Sequence, residues 1–113
     1  MSRPDARIPE HPEPHEITLQ AVLEALVDPV RRSIAAQLHR AGEDISCGKF
    51  DLPVARSTAT HHFGVLREAG VIRQYYVGTS RMNTLRADDL NSRFPGLLDA
   101  CLQAETTTPD PEP

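Results

Sequence analysis

Small or polar side chains recur on one face of the segment between Arg56 and Gly70. They follow the i, i+3, i+4, i+7 spacing of a helix face and are Ser57, Thr60, His61 and Gly64. The opposite face is apolar and consists of Ala59, Phe63 and Leu66. Hydroxyl and imidazole groups on short side chains offer hydrogen-bond donors and acceptors to base edges in the major groove of DNA. The pattern therefore predicts an amphipathic helix whose outer face is suited to reading DNA.

Basic residues concentrate around that helix, although the whole chain carries a net charge of −4. The bases between residues 49 and 86 are Lys49, Arg56, Arg67, Arg73, Arg81 and Arg86, and the acids there are only Asp51 and Glu68. A locally positive surface is what phosphate binding requires. A solvated surface with a chance imbalance would show the same composition, so charge alone does not decide between the two interpretations.

The helices that must position this segment can be predicted from hydrophobic spacing and capping residues. Residues 18–27 carry Leu and Val on one face, which predicts a first helix. Asp28 is a good N-cap and Pro29 fits the first helical position. A second helix is therefore predicted over residues 29–40, and Gly42 is expected to end it.

Turn residues and β-formers define the rest of the folded unit. A short helical turn is predicted between residues 47 and 52. The polar helix is expected to start at Arg56 or at the Ser57 hydroxyl, which would cap it, and to end at Gly70. Beyond it, residues 71–77 and 81–85 flank a Gly-Thr-Ser turn and predict a β-hairpin.

The final helical region covers residues 87–104 and is interrupted by Pro95-Gly96. Because proline lacks an amide hydrogen and clashes with the preceding turn, two pieces are predicted, near residues 88–93 and 95–102. The complete order of elements predicts a mostly α fold with a β-hairpin wing, a winged helix-turn-helix.

Three segments are distinguished by composition. Residues 1–16 and 105–113 hold seven of the ten prolines and many acids, which predicts flexible tails around a folded domain at residues 17–104. No apolar run is long enough to cross a membrane, and no signal-peptide pattern is present. The two cysteines, Cys47 and Cys101, are far apart, so a reduced, cytoplasmic protein is the simplest interpretation.

Two stretches of the chain resemble signatures of the ArsR family of transcriptional regulators. They are ALVDPVRRSI at residues 25–34 and STATHHF followed by VLREAGVI at residues 57–72. The resemblance covers residues 19–86 and implies a homodimer that binds a pseudo-palindromic operator, usually as a repressor released by a ligand. In this family, a polar or basic residue is common at the helix position that Gly64 occupies here.

The resemblance assigns the base-contacting positions to Ser57, Thr58, Thr60 and His61. His62 points toward the flank of the helix, so packing, a phosphate contact and a base contact all stay open for it. Arg56, at the start of the helix, is also predicted to bind DNA. Phosphate contacts are predicted for Arg67, Arg73 and Arg81, with flanking backbone and minor groove both open for the two wing arginines. Thr79 and Ser80 lie at the wing turn beside them.

No metal site or other cofactor is predicted. Cys47 stands without the clustered cysteines that a tetrahedral thiolate site needs, and no histidine follows His62 for a site on the last helix. His11 and His15 have helical zinc spacing but lie in a proline-rich segment, where two solvated histidines are the simpler interpretation. The sequence leaves open whether a small-molecule effector exists and whether Cys47 or Cys101 is redox-active.

Three functional classes can be compared. The leading hypothesis is a DNA-binding regulator that dimerises through its first helix and residues 95–102, because both carry apolar faces larger than one small core can cover. The alternative is a winged-helix protein-interaction module that has lost DNA binding, which the overall acidity and Gly64 favour. An enzyme is not predicted, because no set of nucleophile, base and acid and no phosphate-binding glycine loop is found.

Overall fold

Helices and a small antiparallel sheet make up residues 7–106, the part of the chain that the computed structural model describes. The helices are α1 (Leu19–Leu26), α2 (Pro29–Ala41), α3 (Arg56–Ala69), α4 (Ala87–Arg93) and α5 (Leu97–Thr106). The strands are β1 (Ile45–Ser46), β2 (Ile72–Val77) and β3 (Ser80–Leu85). This order confirms the predicted winged helix-turn-helix.

The junction between α1 and α2 satisfies its own backbone groups. The Asp28 carboxylate accepts hydrogen bonds from the backbone N–H groups of Val30 (2.8 Å) and Arg31 (3.2 Å), and it caps α2 as predicted. Arg31 donates to the Ala25 carbonyl at 2.7 Å, and Arg32 donates to the Leu26 carbonyl at 2.8 Å. Because the last carbonyls of a helix have no partner within it, these two arginines fix the angle at which α2 leaves α1.

Glycine ends both long helices, as predicted. Gly42 after α2 has φ +65°, and Gly70 after α3 has φ +85°. Both angles lie in the left-handed region that favours glycine. A Cβ atom on Gly70 would also lie 2.6 Å from the Ile17 side chain, so the chain before α1 packs directly on the end of α3.

The sheet has the strand order β1–β3–β2, with Gly78 and Thr79 forming the turn between β2 and β3. Gln74 pairs with Asn83, and Tyr76 pairs with Arg81. Strand β1 pairs with β3 through Ile45 opposite Asn83. A two-residue strand leaves no alternation in the sequence, and β1 was therefore not predicted.

One hydrophobic core joins the helices to the base of the wing. Its most buried side chains come from every helix and from β2, and they include Val22, Ile34, Leu66, Val71, Ile72, Leu90, Leu98 and Leu102. The predicted inward face of α3 is confirmed, because Ala59, Phe63 and Leu66 are all buried. Packing of this apolar stripe therefore determines which face of α3 points to solvent.

Several details of the elements differ from the sequence predictions. Helix α3 begins at Arg56, one of the two predicted starts, but its N-cap is Ala55 and the Ser57 hydroxyl does not cap it. The predicted turn at residues 47–52 is a shorter 3₁₀ turn at Cys47–Lys49. Helix α5 continues to Thr106, beyond the predicted end of the last helical piece.

The N-terminal segment was predicted to be a flexible tail up to residue 16, but residues 7–12 contact the folded domain and Pro14–Glu16 form an exposed 3₁₀ turn. Ile8 is buried, and Arg86 donates to the Pro12 carbonyl at 2.8 Å. Burial of one isoleucine and hydrogen bonds from Gln74 and Arg86 therefore order a segment that is otherwise polar. Residues 1–6 and 107–113, the rest of the two predicted tails, lie outside the described residues. Within residues 7–106, no helix is long and apolar enough to cross a membrane.

Candidate nucleic-acid interface

The loop before α3 is tied to α2 by one glutamine. The Gln37 amide donates to the Asp51 carbonyl at 2.9 Å and accepts from the Asp51 N–H at 3.0 Å. The Phe50 ring packs edge-on against the Phe63 ring at a centroid distance of 5.2 Å. These contacts join α2, the loop and α3 into one unit, so the direction of α3 is set by the rest of the domain.

The outer face of α3 presents the side chains predicted to face bases. Ser57, Thr58, Thr60 and His61 are all exposed. The Thr60 hydroxyl donates to the Arg56 carbonyl at 3.0 Å, which orients its oxygen and methyl group. The structure thus brings four of the predicted residues together on one surface, and Arg56 is exposed beside them at the start of the helix.

His62 and Arg67 lie in the interior instead. His62 is buried, and its Nδ1 atom is 3.1 Å from a terminal guanidinium nitrogen of Arg31. This places His62 in a packing role, one of the three that the sequence left open. Arg67 is 7% exposed, so in this conformation its side chain is not accessible for the predicted phosphate contact.

A buried polar network holds Arg67. Its guanidinium donates to the Gln74 side-chain oxygen at 2.8 Å, and the Gln74 amide donates to the Asn83 side-chain oxygen at 2.8 Å. The Asn83 amide donates to the Ile45 carbonyl at 3.1 Å and contacts the Cys47 sulfur at 3.3 Å. Burial lowers the pKa of Arg67 despite the opposing effect of the Glu68 carboxylate 3.8 Å away. The network connects α3 to all three strands and sets the position of the wing relative to α3.

Sequence reasoning did not identify this network, although a signal for it exists. Gln74 and Asn83 occupy strand positions on the same face as buried Ile72, where alternation would place apolar residues. Polar residues at inward positions of a strand require partners. That requirement, applied to both strands, would have indicated a buried polar cluster beneath α3.

The wing carries the two arginines predicted to contact DNA backbone. Arg73 is exposed on β2, whereas Arg81 on β3 is half-buried. The Arg81 guanidinium lies 5.3 Å from the centre of the Tyr76 ring and donates to the Arg7 carbonyl at 3.2 Å. A small pocket of about 250 Å³ separates the tip of the wing from the first turns of α3 and is lined by Cys47, Gly48, Arg56, Ala59, Thr60, Phe63, Tyr76 and Arg81.

His11 docks on the outer edge of β2. Its Nε2 atom accepts a hydrogen bond from the Gln74 backbone N–H at 2.9 Å, which requires the neutral ring. Burial, followed by the positive charges of Arg73, Arg67 and Arg86, lowers the pKa of His11 from 6.5 to about 4. A histidine with a lowered pKa in the folded state stabilises the fold above its unfolded pKa, and this contribution is lost as the pH falls.

We expect the free energy of unfolding to decrease as the pH falls from about 6.5 to about 4, because the unfolded chain binds a proton at His11 before the folded chain does. Urea unfolding at several pH values in this range measures the effect. In the H11Q variant, whose side chain accepts a hydrogen bond without titrating, this part of the pH dependence should disappear. An identical pH dependence in both proteins would contradict the assignment.

Within residues 7–106, no group of three or more His, Cys, Asp or Glu side chains is placed to hold a metal ion. Cys47 and Cys101 are both free, half-buried thiols. His11 and His15 have helical spacing in the sequence, but their surroundings differ. His11 accepts a hydrogen bond from Gln74, and His15 lies exposed in a 3₁₀ turn.

Known proteins show similarity over most of the chain. No protein-family model matches it. YceK of Bacillus subtilis (strain 168), an HTH-type transcriptional regulator, is 31% identical over 80 residues, which are 69% of this chain and 80% of YceK. The crystal structure of an ArsR family transcriptional regulator matches 79% of this chain and 98% of its own at 21% identity, with a TM-score of 0.61.

A second solved structure gives the same fold. The transcriptional repressor BigR from Xylella fastidiosa matches 80% of this chain and 88% of its own length at 20% identity, with a TM-score of 0.60. The sequence similarity to YceK, the winged helix and the polar outer face of α3 are consistent with one another. This chain belongs to the HTH-type transcriptional regulators, and its fold is that of solved ArsR family regulators.

Proposed function

We propose that the protein binds a pseudo-palindromic operator as a homodimer and represses transcription there. The observation that carries this proposal is the outer face of α3, where Ser57, Thr58, Thr60 and His61 are exposed together and no large apolar residue interrupts them. Short hydroxyl and imidazole side chains allow the helix backbone to approach base edges closely. Arg56 at the start of α3 and Arg73 on β2 are exposed and are suited to phosphate contacts, which contribute affinity without reading sequence.

An apolar stripe on α1 supports the dimer. Leu19, Leu23 and Val27 are spaced four residues apart and are 46%, 43% and 71% exposed. Leu23 and Val27 line an open groove of about 450 Å³ together with Cys101 and Ala104 of α5. A second copy of the chain that covers α1 and α5 would remove this stripe from water, which is the main favourable term in protein association. Two-fold symmetry would then match the two half-sites of an operator.

The protein-interaction module remains the second candidate because the net charge is −4 and Gly64 offers no side chain on the outer face of α3. The two functions differ in their response to salt, since each phosphate contact releases counterions from DNA. Purified protein is therefore incubated with random duplexes at two salt concentrations, and the retained sequences are determined. An enriched inverted repeat with strong salt dependence supports the regulator. No enrichment and weak binding at both salts support the interaction module.

Two sets of substitutions separate base reading from phosphate binding on the enriched duplex. T60A and H61A should reduce discrimination between the operator and mismatched duplexes by about 1–3 kcal/mol each, because base contacts specify sequence. R73A and R81A should weaken binding to all duplexes alike and lower the slope of log affinity against log salt by roughly one. Quantitative binding titrations on both duplexes measure these effects. Equal behaviour of the two sets would contradict the assigned roles.

A further inference from the structure

The segment 7–12, here called the arm, lies along the outer edge of the wing. Strand β2 is at the edge of the sheet, so its outward backbone groups have no partner strand among the described residues. His11 accepts the Gln74 N–H on this edge at 2.9 Å, and the Pro12 carbonyl accepts from Arg86 at 2.8 Å. Ile8 is 6% exposed. Hydrogen bonds at two positions and the burial of Ile8 thus hold the arm on the folded domain.

Proline lowers the entropic cost of ordering the arm. Pro9 and Pro12 restrict the unfolded chain to fewer conformations, so fewer are lost when the arm docks. The arm also satisfies one outward backbone N–H of β2, that of Gln74, at an edge that would otherwise present it unpaired. The composition that suggests a flexible tail is therefore compatible with a fixed extended segment where the sheet supplies partners.

The arm brings Arg7 to the tip of the wing. The Arg7 guanidinium donates to the Gly78 carbonyl in the hairpin turn at 3.2 Å and lies 3.9 Å above the centre of the Tyr76 ring. The Arg7 carbonyl accepts from Arg81 at 3.2 Å. The side chain of Arg7 is exposed. A cation held over an aromatic ring keeps its charge and loses side-chain freedom before any ligand arrives.

We propose that the arm is a third component of the wing and that Arg7 contacts a backbone phosphate of the bound duplex. The inference rests on the proposed function, because it assigns a further contact to the same DNA-binding surface. Arg7 and Arg81 place two positive charges within 3.9 Å and 5.3 Å of the centre of the Tyr76 ring at the wing tip. Guanidinium presents N–H donors in a planar fork that matches phosphate oxygens. Ordering by Tyr76 and Gly78 reduces the entropy that the phosphate contact costs.

The test compares wild-type protein with R7A, R7K and the control R40A on the duplex enriched from the random pool. Arg40 is exposed in the last turn of α2, so R40A removes the same charge outside the wing. R7A is expected to weaken binding roughly 3- to 10-fold and to lower the salt slope by about one. R7K should retain the salt slope because its charge remains, and R40A should match wild type.

A second variant tests the arm without changing charge at neutral pH. H11A removes the acceptor for the Gln74 N–H and should release the arm, so it should weaken DNA binding and lower the salt slope as R7A does. The double variant R7A/H11A should bind no more weakly than R7A alone, because both changes remove the same contact.

Three outcomes would overturn the inference. If R7A and wild type share affinity and salt slope, Arg7 does not contact phosphate while the proposed function stands. If R7A binds more tightly, the arm occupies space that the duplex needs. If wild-type protein binds no duplex at either salt, the proposed function fails first, and the inference fails with it.

Discussion

The L23E variant is expected to be a folded monomer that binds the operator at least 100-fold more weakly than wild type. Leu23 is 43% exposed in the protomer, so a charged side chain there can remain in water and the fold tolerates it. In the proposed dimer the same position is covered, and a carboxylate without a partner there opposes association strongly. Loss of the dimer removes one of two half-site contacts, which lowers affinity steeply.

Light scattering at micromolar concentration and a binding titration measure these two effects. The matched control is V77E, which also places an acid on an exposed apolar residue, but on the wing. V77E should stay dimeric. If L23E is dimeric, the protein associates through another face. If L23E is dimeric and also binds the operator with wild-type affinity, α1 has no part in the proposed mechanism.

The Q74L variant is expected to lower the free energy of unfolding by about 2–4 kcal/mol. Leucine has a similar size but cannot accept the hydrogen bond from Arg67, which is 7% exposed and would lose its 2.8 Å partner. Asn83 is fully buried and would lose the donor to its side-chain oxygen. Urea unfolding followed by circular dichroism measures the loss. Because the network joins α3 to the wing, DNA affinity should fall as well under conditions where the variant is folded.

The double variant R67M/Q74L separates the two causes. Replacing both partners by apolar side chains removes the buried charge, and unfolding measurements should recover about half of the loss seen in Q74L. The other half remains because Asn83 still lacks a donor. If R67M/Q74L is as unstable as Q74L, the bond between Gln74 and Asn83 accounts for the whole effect, and Arg67 is satisfied without Gln74.

Local signals in the sequence were sufficient for most of the architecture. The Asp28 cap, the left-handed glycines at 42 and 70 and the inward stripe of α3 depend on residues within a few positions of one another, and all of them are present in the structure. Periodicity also predicted which side of α3 carries Ser57, Thr60 and His61. The DNA contacts of these residues stay a prediction.

Sequence patterns failed where a residue's partner is distant in the chain. Arg67 is a basic residue of α3, but it is held in the interior by a hydrogen bond to Gln74 on β2, which in turn bonds Asn83 on β3. The position of His62 likewise depends on Arg31, and the hydrogen bond between them spans 31 residues. Charge and spacing cannot distinguish an arginine that meets phosphate from one that meets a buried amide, because the difference lies in the partner.

The arm shows the same limit most clearly. Proline and acid content predicted a flexible segment, which is correct reasoning for a chain that has nothing to dock on. The edge of β2, the turn at Gly78 and the Tyr76 ring supply the partners, and the hydrogen bond between Arg7 and Gly78 spans 71 residues. The sequence by itself determined the helices, the hairpin and the polar face of α3, since these follow from local spacing. Tertiary structure alone decided which arginines are buried and where the N-terminal segment lies, since both depend on hydrogen bonds between distant parts of the chain.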